Sequence, residues 1–143
     1  MIDSFSGDHA FLSNYYPSVI GWEDTNQLYP TMEHYFQAMK TFELDEHNAI
    51  MNADTPGKAK RLGRQCTLRA DWEAVKDQVM LTGLRMKFSI PELKEKLLAT
   101  EDEFLVEGNY WKDTYWGLCE GKGRNKLGFL LMQVREEIQR GLV

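Results

Sequence analysis

From Thr31 to Phe42 the chain reads Thr-Met-Glu-His-Tyr-Phe-Gln-Ala-Met-Lys-Thr-Phe, and its side chains sort into two classes at helical spacing. At about 100° per residue, Met32, Tyr35, Phe36, Met39 and Phe42 gather on one arc, which can anchor a short helix in a core. Glu33, Gln37 and Lys40 stand at i, i+4 and i+7 and form a polar stripe. The stripe aims a carboxylate, an amide and an amine at one spot. On these residues alone it is either a surface ion pair worth ~0.3–0.5 kcal/mol or one wall of a site.

The remaining composition narrows the choice. The 143 residues fit one domain, 1–143, able to bury a core without staples. No apolar run approaches the ~20 residues that span a bilayer, and Met-Ile-Asp-Ser-Phe lacks the basic and apolar regions of a secretory signal. Cys66 and Cys119 lie far apart without ligand spacing, so reduced thiols and a cytoplasmic location are expected. His9, His34 and His47 show no metal-binding spacing either, and no metal is expected. A net charge of −5 argues against a general nucleic-acid binder, which needs a cationic face. It leaves room for a local basic pocket, and Lys58, Lys60, Arg61, Arg64 and Arg69 concentrate positive charge in one stretch. That stretch reads equally as a solvated helix face.

Periodicity and punctuation predict mainly helices. Residues 1–30 read as irregular or short-stranded, with Thr31 the N-cap of the first helix. A second helix is expected over 45–52, and a third from Thr55-Pro56 until Gly63 or a neighbour closes it. Asp71 caps the longest helix, 72–87, with Trp72, Val75, Val79, Gly83 and Met86 on one stripe. Ser89-Ile-Pro91 ends it and starts a short helix through Leu93, Leu97 and Leu98. Glu103-Phe-Leu-Val-Glu107 is the best strand candidate. A Gly- and Trp-rich loop covers 109–125. The last helix runs from Lys126 to about Arg140 on Leu127, Leu130, Leu131, Val134 and Ile138, with Gly141 as its stop.

Three segments can carry chemistry. Gly117-Leu-Cys-Glu-Gly-Lys-Gly-Arg-Asn125 precedes a helix, where glycines and free N–H groups can receive an anion. It has neither Walker A nor Rossmann spacing, and an ordinary loop with Asn125 as cap fits as well. Glu107 ends the strand candidate and Asp113 lies between Trp111 and Trp116; a carboxylate beside aromatic rings can be desolvated into a proton donor or acceptor. Lys40, desolvated near aromatic groups, can be partly neutral and attack the aldehyde of an opened ribose, forming a Schiff base.

The ordered set Phe5, Leu12-Ser-Asn14, Tyr29-Pro-Thr-Met-Glu-His-Tyr-Phe-Gln-Ala-Met-Lys40, Lys60-Arg-Leu-Gly-Arg64, Asp71-Trp-Glu-Ala-Val-Lys76, Met86-Lys-Phe88, Leu105-Val-Glu107, Trp116-Gly117 and Gly121-Lys-Gly-Arg-Asn-Lys-Leu-Gly128 closely resembles the NADAR superfamily, its YbiA-like N-glycosidases in particular. The resemblance implies a mainly α, compact single-domain YbiA-like helical fold with a few short β elements. It also implies hydrolysis of the N-glycosidic bond of a phosphoribosylated or ADP-ribosylated base, either a riboflavin-pathway intermediate or ADP-ribosyl-guanine in nucleic acid, without metal or organic cofactor. The family's lysine nucleophile maps onto Lys40 and its acidic residues onto Glu33, Glu107 and Asp113. On this reading Asn14, Gln37, Arg64, Gly117, Gly123 and Asn125 hold sugar and phosphate, while Trp72 or Trp116 walls the base. The alternative is a non-catalytic module that binds ADP-ribose or an NAD-derived nucleotide. Neither the leaving base nor the oligomeric state is legible.

Overall fold

The computed structural model describes residues 1–142, which group into two compact units, Asn14–Lys87 and Met1–Ser13 with the chain from Phe88 onward. The fold is mainly α, as expected, and its two longest strands fall within the stretch read as irregular or short-stranded rather than at 103–107.

In the unit Asn14–Lys87, β1 (Pro17–Trp22) and β2 (Gln27–Thr31) form an antiparallel hairpin. Alternation explains it: Ser18 and Ile20 on β1, and Tyr29 and Thr31 on β2, face inward. Asn26 turns the corner in the left-handed region at φ 58°, which asparagine tolerates better than most residues. Helix α1 (Met32–Ala38) follows at once, and the Thr31 side chain accepts the His34 N–H as its cap. Every residue of α1 is buried. Its polar stripe is therefore not a solvent face. Around it stand α2 (Leu44–Met51), α3 (Pro56–Gln65) and α4 (Trp72–Lys87).

Three readings need correction here. Gly63 does not close α3 but lies buried within it, and the helix runs on to Gln65. Phe42 is not part of the core arc: it is 74% exposed. The buried side of α4 runs through Trp72, Met80, Leu81, Gly83, Leu84 and Lys87, so Trp72 and Gly83 of the expected stripe are buried while Val75, Val79 and Met86 are only half-buried. Reading apolar residues alone missed that a lysine fills a core position.

Lys87 is completely buried, its amine 5.9 Å from the Tyr16 ring centroid, and burial pushes its pKa down to about 7. The unfolded chain therefore binds more protons than the folded one between about pH 7 and the ordinary lysine value of 10.5. Stability should rise with pH across that window, with a slope approaching ~1.4 kcal/mol per pH unit. Denaturant titrations at pH 7, 8 and 9 check this, and Lys87→Met should flatten the trend.

The other unit holds α5 (Pro91–Leu98), β3 (Gly108–Asn109), β4 (Leu118–Cys119) and α6 (Lys126–Gln139). The expected strand at 103–107 is reduced to a single bridge between Ile2 and Leu105, flanked by the bonds of Ile2 to Phe104 and Val106, while the Glu103 N–H and the Glu107 carbonyl pair instead with Thr100 and Leu118. Leu127, Leu131, Val134 and Ile138 form the buried face of α6, with Leu130 at its margin. Gly141 takes φ 72° just past the end. Among the described residues no helix is long and apolar enough to cross a membrane.

Candidate active site

Helix α1 brings Glu33 and Gln37 together one turn apart. Glu33 is 7% exposed and Gln37 3%, and the Gln37 Nε2 donates to Glu33 Oε2 at 2.6 Å. A charge-assisted bond this short fixes the carboxylate's orientation. Oε1 of the same amide lies against the bare Cα of Gly63, where a Cβ would overlap it, and has no hydrogen-bond partner. This is why α3 carries glycine in mid-helix: any larger residue would displace the amide that holds Glu33.

Lys40 is not on the helix. α1 ends at Ala38, and Lys40 follows in a turn closed by its own N–H to Gln37 O at 3.1 Å. The amine lies 5.9 Å from the Phe36 ring centroid. Desolvation lowers its pKa below the lysine norm; Glu33 and Cys66 push it back up, while Arg64 and Lys60 lower it further. The carboxylate and the amide of the stripe are thus joined, and the amine, which follows in a turn, feels the carboxylate's charge.

Asn14, another expected site residue, adjoins the group: its carbonyl accepts the Glu33 N–H at 3.0 Å. Its side chain is 9% exposed and poorly served. Nδ2 has a weak contact with Met80 sulfur at 3.6 Å, and Oδ1 has no partner. Buried amide oxygens left this way are rare. Tyr15 escaped the sequence reading; burial first, then Glu33, raises its phenol pKa while Arg64 lowers it. Its position beside Asn14 was the available signal. Cys66, also near Lys40, had none.

Trp72 is not an open wall for a base. It is 6% exposed and packs against Phe36 with ring centroids 5.1 Å apart. The histidines serve the frame. His34 lies between Thr31 Oγ1 at 2.8 Å and Ala53 O at 3.0 Å, and His47 between Tyr29 OH at 2.8 Å and Ala38 O at 3.0 Å. Among the described residues no group of three or more His, Cys, Asp or Glu could hold a metal ion.

The remaining expected site residues sit together in the other unit. Glu107 is half-buried; its Oε2 accepts from Asn109 Nδ2 at 3.0 Å and lies where a Cβ on Gly117 would be. Asp113 Oδ1 accepts the N–H groups of Tyr115 at 3.1 Å and Trp116 at 2.9 Å, so this carboxylate shapes a turn. Trp116 stacks edge-on with Tyr115 at 4.8 Å. The helix start differs from the anion cradle expected. The N–H groups of Arg124, Asn125, Lys126 and Leu127 already donate to carbonyls of residues 114–117. Gly123 packs tightly on the Thr114 and Gly117 backbone. Asn125 does not cap α6 with its side chain; it accepts from Glu107 N and donates to Leu105 O, both at 3.0 Å.

Residues 4–139 match the family model described as the NADAR domain. The chain belongs to the NADAR family. Among similar proteins, N-glycosidase YbiA of Escherichia coli is 42% identical over 139 residues, covering 94% of this chain and 85% of its own length. A riboflavin biosynthesis protein of Vibrio vulnificus is 40% identical over 136 residues, which make up 92% of this chain but 36% of that longer protein. The NMR structure of E. coli YbiA superposes with a TM-score of 0.84 at 38% identity, covering 99% of this chain and 88% of that one. This NADAR member therefore shares both sequence and fold with YbiA along almost its whole length.

Proposed function

We infer that this NADAR protein is an N-glycosidase that releases the base from a phosphoribosylated or ADP-ribosylated nucleotide-like substrate through a Schiff base on Lys40. The observation that carries the reading is the pairing of a buried, amide-oriented carboxylate, Glu33, with a half-buried amine whose pKa burial lowers. Kinship with proteins named N-glycosidase and riboflavin biosynthesis protein supports the reaction class and the phosphoribosylated alternative. The reading takes the chain as one domain, supported by a single family model that runs across both units.

The chemistry follows from protonation states. A neutral Lys40 attacks C1 of the ribose; the C1–N bond to the base breaks and the base leaves with a proton. The ring oxygen then takes a proton as its bond to C1 opens, leaving a protonated imine between C1 and Nζ. Water adds to C1 and expels the amine, which restores Lys40 and yields the free sugar. Glu33 carries the protons, accepting from the attacking amine and giving to the departing nitrogen or ring oxygen. Asn14 Oδ1 offers its free acceptor to a sugar hydroxyl, and Arg64 supplies charge for a phosphate. Glu107 and Asp113 are assigned supporting roles, because their carboxylates already bond within their own loop.

Borohydride added during turnover should trap a sugar adduct on Lys40, located by peptide mass spectrometry. The substrates to test are the phosphoribosylamine intermediates of riboflavin synthesis, ADP-ribosyl-guanosine in DNA, and NAD. Saturable binding with no released base from any of them would replace the enzyme by the binding-module reading.

A further inference from the structure

The turn that carries Lys40 is held by residues to which the reaction above assigns nothing. Beyond Ala38 the helical bonding pattern stops, and carbonyls that leave a helix need new donors. Gln37 O receives the Lys40 N–H at 3.1 Å, and Ala38 O receives His47 Nδ1–H at 3.0 Å. The next two carbonyls both go to Arg69: its backbone N–H donates to Lys40 O at 2.8 Å and its Nη1 to Met39 O at 3.3 Å. The guanidinium is itself pinned. Asp71 accepts from Nε at 2.6 Å and from Nη2 at 2.9 Å, and the exposed Phe42 ring stacks 4.3 Å from its centre. This accounts for Phe42, an apolar residue out of place as core.

We propose that Arg69, locked by Asp71 and Phe42, is a positioning residue that holds the Lys40 turn and so keeps the Lys40 amine half-buried beside Glu33. A planar fork whose three nitrogens each donate a hydrogen bond suits the task, and lysine would not reproduce it. The catalytic consequence rests on Lys40 as nucleophile; the placement itself does not.

The test follows the titration of Lys40 in protein whose lysines carry ¹³C-methyl groups, with the signal assigned by Lys40→Arg. Charges acting on this amine come from Glu33 on α1, Lys60 and Arg64 on α3, and Cys66 just after it. The decisive variant is Asp71→Asn. Removing a nearby anion would by electrostatics alone lower the Lys40 midpoint, whereas release of the turn into water raises it towards the ordinary lysine value. We expect a rise of about half a unit or more, and a larger one for Arg69→Ala. Turnover should fall about tenfold in Arg69→Ala with KM little changed. Adding Asp71→Asn to that variant should bring no further loss, since the two act as one unit. A midpoint that stays or falls in Asp71→Asn, or losses that add, would overturn the inference. Absence of a borohydride adduct in the wild type would instead count against the Schiff base, leaving the titration result intact.

Discussion

Lys40→Ala should reduce turnover on the order of 1,000-fold or more and abolish the borohydride adduct, while the protein stays folded. The amine is only half-buried and lies on a turn held by backbone, His47 and Arg69 hydrogen bonds, so truncation leaves the frame intact. A loss of that size is what removal of a nucleophile produces. Lys40→Arg, which keeps the charge without a usable free base, should be as poor as alanine. The pH profile gives an independent check. Attack needs the neutral amine, so kcat should rise with pH and level off below the point where an unperturbed lysine would. Arg64 and Lys60 lower the Lys40 pKa and Glu33 raises it. Arg64→Gln should therefore move the rising limb up in pH, and Glu33→Gln should move it down. Near-normal turnover by Lys40→Ala would discard the Schiff base and leave hydrolysis by carboxylate alone.

Glu33→Gln should lower kcat by about 10²- to 10⁴-fold, the range for loss of a positioned general acid–base group. The amide matches the carboxylate in shape, and Gln37 Nε2 at 2.6 Å can still donate to its oxygen, so folding should be little affected. Equilibrium binding of an unreactive substrate analogue should change far less than kcat. That split separates an enzyme from a binding module, for which neither number depends on a proton carrier. If Glu33→Gln retains wild-type kcat, proton transfer must be reassigned, and Glu107 becomes the next carboxylate to replace.

Much of the helical frame was legible along the chain. Thr31 and Pro56 mark helix starts that packing did not override, and the Leu127-to-Ile138 periodicity marks α6. The Glu33–Gln37 pair also followed from spacing, since residues four apart on a helix must be neighbours. The misreadings share one cause. Lys87 in the core, Phe42 in solvent and Trp72 buried against Phe36 each have a side chain whose surroundings depend on distant segments. The segment 103–107 had the right composition for a strand, yet its pairing with Ile2 extends to a single bridge. The hairpin at 17–31 needed only its own two arms.

Local spacing by itself determined that a carboxylate and an amide face the same way from one buried helix, and that an amine stands close after them, because helix geometry repeats within a few residues. Tertiary structure alone decided that the amine leaves the helix on a turn bonded to Arg69, that Gly63 admits the amide of Gln37, and that the N–H groups from Arg124 to Leu127 are spent on the carbonyls of residues 114–117. These outcomes turn on desolvation and on which donors meet which acceptors across tens of residues of chain, and no repeat in the sequence records that.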